Sequence, residues 1–339
     1  TVAAVMMGLG APLLAAVVAG WDRRRLLTLA LAWFGIGHAL SALAPTYAAL
    51  LPVRALTVLA AAVFTPQAAA AIGVMVPPEQ RGRAITFVFL GWSLSSVIGM
   101  PLHSYIGETF GWRWAFALVA LISLGAAVAV WRAMPDGVKP PALSLANWRT
   151  IFTHPLLVGI VLVTALSAAG QFTLFSYFAP YYREVLGAGA AQVSFLFLWF
   201  GAFGVIGNVL VSRRIDTLGA PRAVAITLAL MALSLAVWPL AGTVTTMALA
   251  MIPWALGCFA SNSAQQARAG MATPALAPAM IARNSSAIYL GPAAGAASGG
   301  ALVAASGYDG LSTVGLGWML LAIALSAWVA RRMQGRQHV

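Results

Sequence analysis

Charge is what this sequence has least of. Asp, Glu, Lys and Arg make up 8% of the residues, against roughly a quarter in soluble domains. With 61% hydrophobic residues and a mean hydropathy of +0.91, a water-soluble core-and-surface protein is excluded. The one lysine, Lys139, follows Gly137-Val138 in a proline-rich stretch, so there is no phosphate-binding loop and no ATP-driven pump. Cys258 is the one cysteine and sits in an apolar run; it makes no intrachain disulfide and says nothing of redox compartment. The four histidines, 38, 103, 154 and 338, are scattered. No His-Glu-x-x-His helix and no Gly-x-Ser-x-Gly elbow occurs, which argues against an enzyme, a bound metal or a cofactor. Alternating ten-residue segments, the mark of a membrane barrel, are missing. Repeated filter sequences and rings of charge, the marks of a channel, are missing too.

Long apolar runs are what the chain does have. Runs of about 18 residues or more read as transmembrane helices. Eleven are expected, at 1–20, 26–43, 50–76, 84–106, 114–133, 156–179, 193–212, 223–241, 244–265, 278–305 and 311–330. The fold class is therefore an all-α polytopic membrane protein.

The net charge of +12 and pI of 11.2 would point to nucleic acid in a soluble protein. Here the basic residues never form a continuous patch, and no nucleic-acid partner is expected. Sixteen of the nineteen basic residues fall in the connections after the odd-numbered spans, among them Arg23, Arg24, Arg25, Arg81, Arg83, Arg213, Arg214, Arg268, Arg283 and Arg331. Only Arg113 and Arg183 lie on the other side, and Arg54 is within a span. The positive-inside rule then puts the odd connections and the C-terminus in the cytoplasm of a multi-pass protein of the bacterial inner membrane.

A charged turn recurs. Trp21-Asp22-Arg23-Arg24-Arg25 follows the first apolar run, and Ser212-Arg213-Arg214-Ile215-Asp216-Thr217-Leu218-Gly219 closes the seventh. Between them, 134–155 is too polar to span and too short to fold alone, with Pro135, Pro140, Pro141 and Pro155. The expected organisation is a helical bundle at 1–133, a cytoplasmic linker at 134–155, a second bundle at 156–332 and a tail at 333–339. Five spans precede the linker and six follow it, and the chain opens inside an apolar segment without a methionine. A further helix is expected ahead of Thr1, completing six plus six. Parallel halves with a substrate site between them are a recurring transporter plan.

These stretches resemble the Major Facilitator Superfamily, and within it the twelve-helix drug:proton antiporters that include arabinose-efflux-like permeases. Gly20 to Arg25 is similar to the family's loop between its second and third helices, in shortened form. Pro77-Pro78-Glu79-Gln80-Arg81-Gly82-Arg83-Ala84 resembles its next cytoplasmic loop. Gly99-Met100-Pro101-Leu102 with Gly107, then Gly111-Trp112-Arg113, resembles the antiporter motif, with His103 where a Gly is usual. Asn284-Ser285-Ser286 followed by Gly291, Gly295 and Gly299 is similar to the group's signature late in the second half.

The resemblance implies export of a small organic solute of drug, sugar or nucleobase class by proton antiport and alternating access, in a monomer whose partners are that solute, protons and the bilayer. A proton-coupled uptake symporter of the same fold is the alternative. Asp22, Arg23, Arg24 and Arg25 with Arg213, Arg214 and Asp216 become a cytoplasmic gate, in which acids and guanidiniums pair across a seam and meet a helix N-terminus. Arg54, with Val58 in place of the motif's Gly, becomes a proton-coupling residue, and His103 the visible titrating group. His38 reads as a helix–helix hydrogen bonder. Uncharged intramembrane residues face bundle interiors; Gln67 beside Pro66, Gln171, Phe175, Tyr177, Asn208, Asn262, Asn284 and Tyr289 are the cavity candidates, suiting a neutral or weakly polar solute.

Overall fold

The computed structural model describes Leu14 and residues 17–139 and 144–334. Most of the expected first span, the linker residues 140–143 and the end of the tail lie outside the described residues. Ten helices within them are long and apolar enough to cross a membrane, and they coincide with the second to eleventh expected spans.

The helices are α1 Arg23–Leu43, α2 Tyr47–Met75, α3 Arg81–Leu94, α4 Met100–Phe110, α5 Trp112–Ala133, α6 Leu145–Thr153, α7 Pro155–Phe175, α8 Phe178–Glu184, α9 Ala190–Leu218, α10 Ala220–Val237, α11 Val244–Ala250, α12 Ile252–Ala272, α13 Ala277–Ser306 and α14 Leu311–Gln334. Their starts are written locally. Asp22 accepts from Arg25 N, Thr46 from Ala49 N and Ser144 from Asn147 N, each satisfying an amide that the first turn leaves free. Gly219, at φ +80°, ends α9 in a conformation that only glycine adopts cheaply. Between α3 and α4 the chain widens into a π turn over Ser95–Gly99, where Pro101 has no amide to give to a regular helix.

Packing sorts the helices into two groups. On one side α1 lies against α2 and α5, and α4 against α5. On the other, α7 lies against α13 and α14, and α12 against α9 and α10. The groups meet where α3 packs on α9 and α12, and α2 on α13. Large apolar side chains point outward along the spans, including Trp33, Ile36, Leu40, Ile122, Leu198, Leu233 and Leu321. In water such a surface would drive aggregation; in a bilayer it is the lipid face.

Glycine decides how closely the second group packs. A Cβ on Gly291 would lie 2.6 Å from Ala165 O, and Gly295 and Gly299 press on the carbonyls of Ala169 and Thr173. The stripe therefore seats α13 on α7 inside one bundle. Gly99 and Gly107 of the antiporter-like motif behave differently: a Cβ on Gly99 would meet only Ser95 Cβ, at 3.6 Å, and one on Gly107 would meet nothing within 4 Å. The Pro101 side chain is outside the described set.

Most of the arginines counted with the loops lie on helices. Arg23 begins α1, Arg268 lies in α12 and Arg283 in α13. Arg268 has no exposed surface and gives its guanidinium to Ser326, at 2.9 Å to Oγ and 3.2 Å to the carbonyl oxygen. A buried cation needs this kind of oxygen cage in place of water.

Candidate functional site

Four places carry polar chemistry, and they run from the arginine-rich end of the molecule to its opposite end. At the arginine-rich end the two acids of the repeated turn do different work. Asp22 caps α1 with one oxygen, and its other oxygen accepts from Gly137 N at 2.8 Å. Arg24 pairs with Asp136 at 2.5 Å, donates to Trp131 O at 2.7 Å and lies over the Trp131 ring. Arg23 is buried and donates to the carbonyls of Val18, Ala19 and Trp21, closing the chain that precedes it. Arg25 is exposed and lines an open recess with Asp22, Asp136, Gly137 and Lys139. The first turn thus clasps the 136–138 stretch within its own half and does not reach the other bundle.

Partial burial pushes the Asp22 carboxyl up, but the amides of Arg25, Gly137 and Arg24 and the charge of Arg25 outweigh it and hold the pKa below its ordinary value. A lowered folded-state pKa contributes stability above the ordinary carboxylate range, and that contribution is lost as pH falls through the folded value. Amide exchange at Gly137, corrected for its intrinsic pH dependence, is therefore expected to be flat from about pH 8 to 5 and to rise below about pH 4. Asp22→Asn should raise it above about pH 5 and remove its rise in acid. Flat exchange into strong acid would show that the carboxylate does not hold this stretch.

Asp216 does cross between bundles. Both its oxygens accept from Arg83 N, at 3.1 and 3.2 Å, at the first turn of α3. The anion therefore meets the positive end of a helix dipole. Arg213 and Arg214 point to solvent beside it. The seam continues inward along the antiparallel pair α3 and α9. Thr86 donates to Ser212 Oγ at 3.0 Å, and Asn208 Nδ2 to Ser93 Oγ at 2.6 Å. Val97 closes on Gly201 beyond them. Asn208, expected in the cavity, is thus a rung of this seam.

Midway, a narrow crevice lies where α2, α3, α12 and α13 converge. Its polar wall is Thr65, Asn262, Gln266, Ser285 and Tyr289, and Phe89 and Trp92 supply rings. The Trp92 and Tyr289 ring centroids are 6.4 Å apart. Among the described residues, Asn262 Oδ1 and Gln266 Oε1 are buried without a protein partner, and so are both polar atoms of Gln67, whose neighbour Pro66 lines the crevice. No acidic or basic side chain among the described residues lines it.

Of the eight expected cavity residues, Asn262 and Tyr289 line this crevice and Gln67 stands behind it. The rest hold helices together. Asn284 Oδ1 accepts from Thr164 at 2.6 Å, Tyr177 donates to Ala296 O at 2.8 Å, and Gln171 accepts from Trp254 Nε1 at 3.4 Å. Phe175 joins the Phe178, Phe200, Trp238 and Trp254 cluster near the opposite end of the second bundle. Gln266 was missed, although it stands one helical turn after Asn262, a spacing that puts both on one face.

Near the opposite end, Arg54 on α2 meets His38 on α1, with Nη1 2.9 Å from Nε2. His38 Nδ1 lies 2.8 Å from Phe34 O. Guanidinium can only donate, so Nε2 accepts and Nδ1 carries the hydrogen to Phe34. Arg54 also lies 5.1 Å from the Phe116 centroid, and His103 reaches the same ring edge-on at 6.1 Å. Arg54 and His103 thus share a ring, and His38 is the partner that Arg54 touches. Among the described residues no group of His, Cys, Asp and Glu could hold a metal ion.

Comparison with known proteins gives this arrangement its family. The sequence profile of the Major Facilitator Superfamily matches residues 1–275. The chain is 30% identical over 329 residues to the inner membrane transport protein YdhP of Escherichia coli K12, covering 96% of this chain and 84% of that one. It is 28% identical over 303 residues to a probable sugar efflux transporter of Pasteurella multocida, covering 89% and 74%. Among solved structures, the human organic anion transporter MFSD10 superposes with a TM-score of 0.81 at 17% identity, covering 96% of this chain and 82% of that one. The proton:xylose symporter XylE superposes with a TM-score of 0.70 at 18% identity, covering 95% and 83%. At these identities the structures speak for the fold, and the profile and the sequence relatives for the family. The chain belongs to the Major Facilitator Superfamily and is a multi-pass membrane transporter.

Proposed function

We propose that this transporter exports a small neutral, hydroxyl-rich solute of the sugar class from the cytoplasm in exchange for protons. In this reading the arginine-rich end is cytoplasmic, and the bundles 1–133 and 156–332 rock about the crevice, joined by 134–155. Asp216 latches the cytoplasmic end onto α3, and Asp22, Arg23 and Arg24 fasten the linker. Arg54, His38 and His103 form the proton-coupling corner, reached from the outer side.

The observation that carries the reading is the crevice wall. It offers amide and hydroxyl groups with unused hydrogen-bonding capacity beside two aromatic faces, and no charge. A sugar presents hydroxyls to amides and C–H faces to rings; a multiply charged solute would find nothing to neutralise it. The relative named as a probable sugar efflux transporter points to the same class.

Reconstitution in proteoliposomes with labelled arabinose, xylose and lactose tests it, with uracil and a lipophilic cation as contrasts. Sugar counterflow is expected, together with acceleration by an inward proton gradient. Asn262→Leu and Gln266→Leu should each cost about tenfold or more in counterflow, because a lost buried hydrogen bond leaves its partner unsatisfied at about 1–3 kcal/mol. Transport of the cation or uracil in preference to all three sugars would overturn the substrate class. Gradient-driven accumulation of sugar on the side the protons enter would make the protein a symporter.

A further inference from the structure

We propose that His38 is the residue that takes the coupled proton, on Nε2, and that it releases Arg54 when it does so. This rests on the proton-coupled reading above and assigns its titrating group.

The hydrogen-bond directions are fixed by chemistry. With Nδ1–H held on Phe34 O, the Nε2 lone pair is the only acceptor His38 presents, and Arg54 occupies it. A proton that binds Nε2 forms one N–H bond and breaks none. It turns the acceptor into a donor and places a second positive charge against the guanidinium. The contact cannot survive this, and Arg54 must withdraw along the face of Phe116, which it already overlies. Loss of the proton restores the pair. Proton occupancy and Arg54 position are therefore mutually exclusive states of one site.

Among the described residues the helices packed on α1 are α2 and α5. Neither they nor α1 carry an acid. On α2 the only charged residue is Arg54. On α5 it is Arg113 and Arg132; Arg113 is bound to Ala44 O at 2.9 Å. α4 contributes His103, across Phe116, and Glu108, whose side chain lies outside the described set. The site also has a mechanical outlet. One residue before His38, Gly37 presses directly on Thr57, three residues after Arg54. A shift of Arg54 bears on this close approach between α1 and α2.

The test reads the ring nitrogens directly. Protein labelled with ¹⁵N-histidine in lipid bilayers gives four histidines, and His38→Gln identifies the signal of His38. At high pH the expected signal is one neutral tautomer with Nδ1 protonated, replaced by imidazolium as the pH falls. Arg54→Leu, which removes the donor on Nε2 and the neighbouring positive charge, should move imidazolium formation to higher pH, and Arg54→Lys should move it less. A His38 that never forms imidazolium while the protein stays folded, or whose titration is indifferent to Arg54→Leu, overturns the proposal.

A flux ratio links the site to transport. For arabinose, xylose and lactose, gradient-driven flux divided by counterflow at equal pH should fall at least tenfold in His38→Gln. An unchanged ratio removes His38 from coupling while leaving proton antiport standing. A wild-type ratio indifferent to the gradient removes proton antiport itself, whatever His38 does in the spectrum.

Discussion

Gly207→Val is expected to abolish assembly of the second bundle, and Gly295→Val to come close. A side chain on Gly207 would run into the Leu256 carbonyl, and one on Gly295 into that of Ala169. In both cases the obstacle is backbone of a facing helix, which cannot rotate away as a flexible side chain could. Overpacking a well-filled core costs about 1–3 kcal/mol, and more where nothing can yield. In a membrane the penalty is compounded, because helices associate through close packing and not by escaping water. Loss of monodisperse protein on size-exclusion chromatography is the expected result for Gly207→Val. For Gly295→Val, a melting temperature lowered by about 5–10 °C follows from a cost near 3 kcal/mol. Gly91→Ala and Gly125→Ala provide the control, since a Cβ at either meets nothing within 4 Å. Equal melting of all four variants would mean that the helices do not approach as closely as described.

These glycines also show what a sequence reveals and what it conceals. Apolar length alone located the spans, because no water-facing alternative exists for such runs, and each of the ten described spans coincides with an expected one. The spacing of Gly291, Gly295 and Gly299 announced a close contact. It could not say with which helix, because a stripe defines one face and the partner is chosen by the fold. The same limit scattered the cavity residues. Asn208, Asn284 and Tyr177 are as polar as Asn262 and Tyr289, and only the partner decides between glue and crevice. His38 read as a hydrogen bonder and is one. That its partner is Arg54 depends on the register of α1 against α2, which periodicity leaves open. The family resemblance made Arg23 a gate residue. Its burial, with three carbonyls around its guanidinium, follows from a chain reversal invisible in composition.

Asp216→Ala is expected to loosen the arginine-rich end of the seam several-fold, where Asp22→Ala should leave the seam nearly unchanged. The two acids hold equivalent places in the repeated turn, but only Asp216 accepts from an amide of the other bundle. An anion at a helix N-terminus is worth about 0.3–1 kcal/mol when exposed, so its loss shifts an open–closed equilibrium by up to roughly fivefold without unfolding anything. Gly82 allows an approach from the opposite partner. A Cβ there would occupy the space of the Asp216 carboxylate, so Gly82→Val should mimic Asp216→Ala. The double variant should then be no looser than either single one, because both remove the same contact. Ser212→Cys in a Cys258→Ser background reports on this, since Ser212 is buried in the seam against Thr86. Its labelling by a water-soluble maleimide should speed up several-fold in each variant and not multiply in the double. Multiplied rates would mean that Gly82 and Asp216 act separately. Rates unchanged in Asp216→Ala would mean that the polar ladder of Thr86, Ser212, Ser93 and Asn208 holds the end shut alone. A latch of this strength suits a transporter, because a contact worth more than a few kcal/mol would trap the closed state, and one worth nothing would let both ends open together.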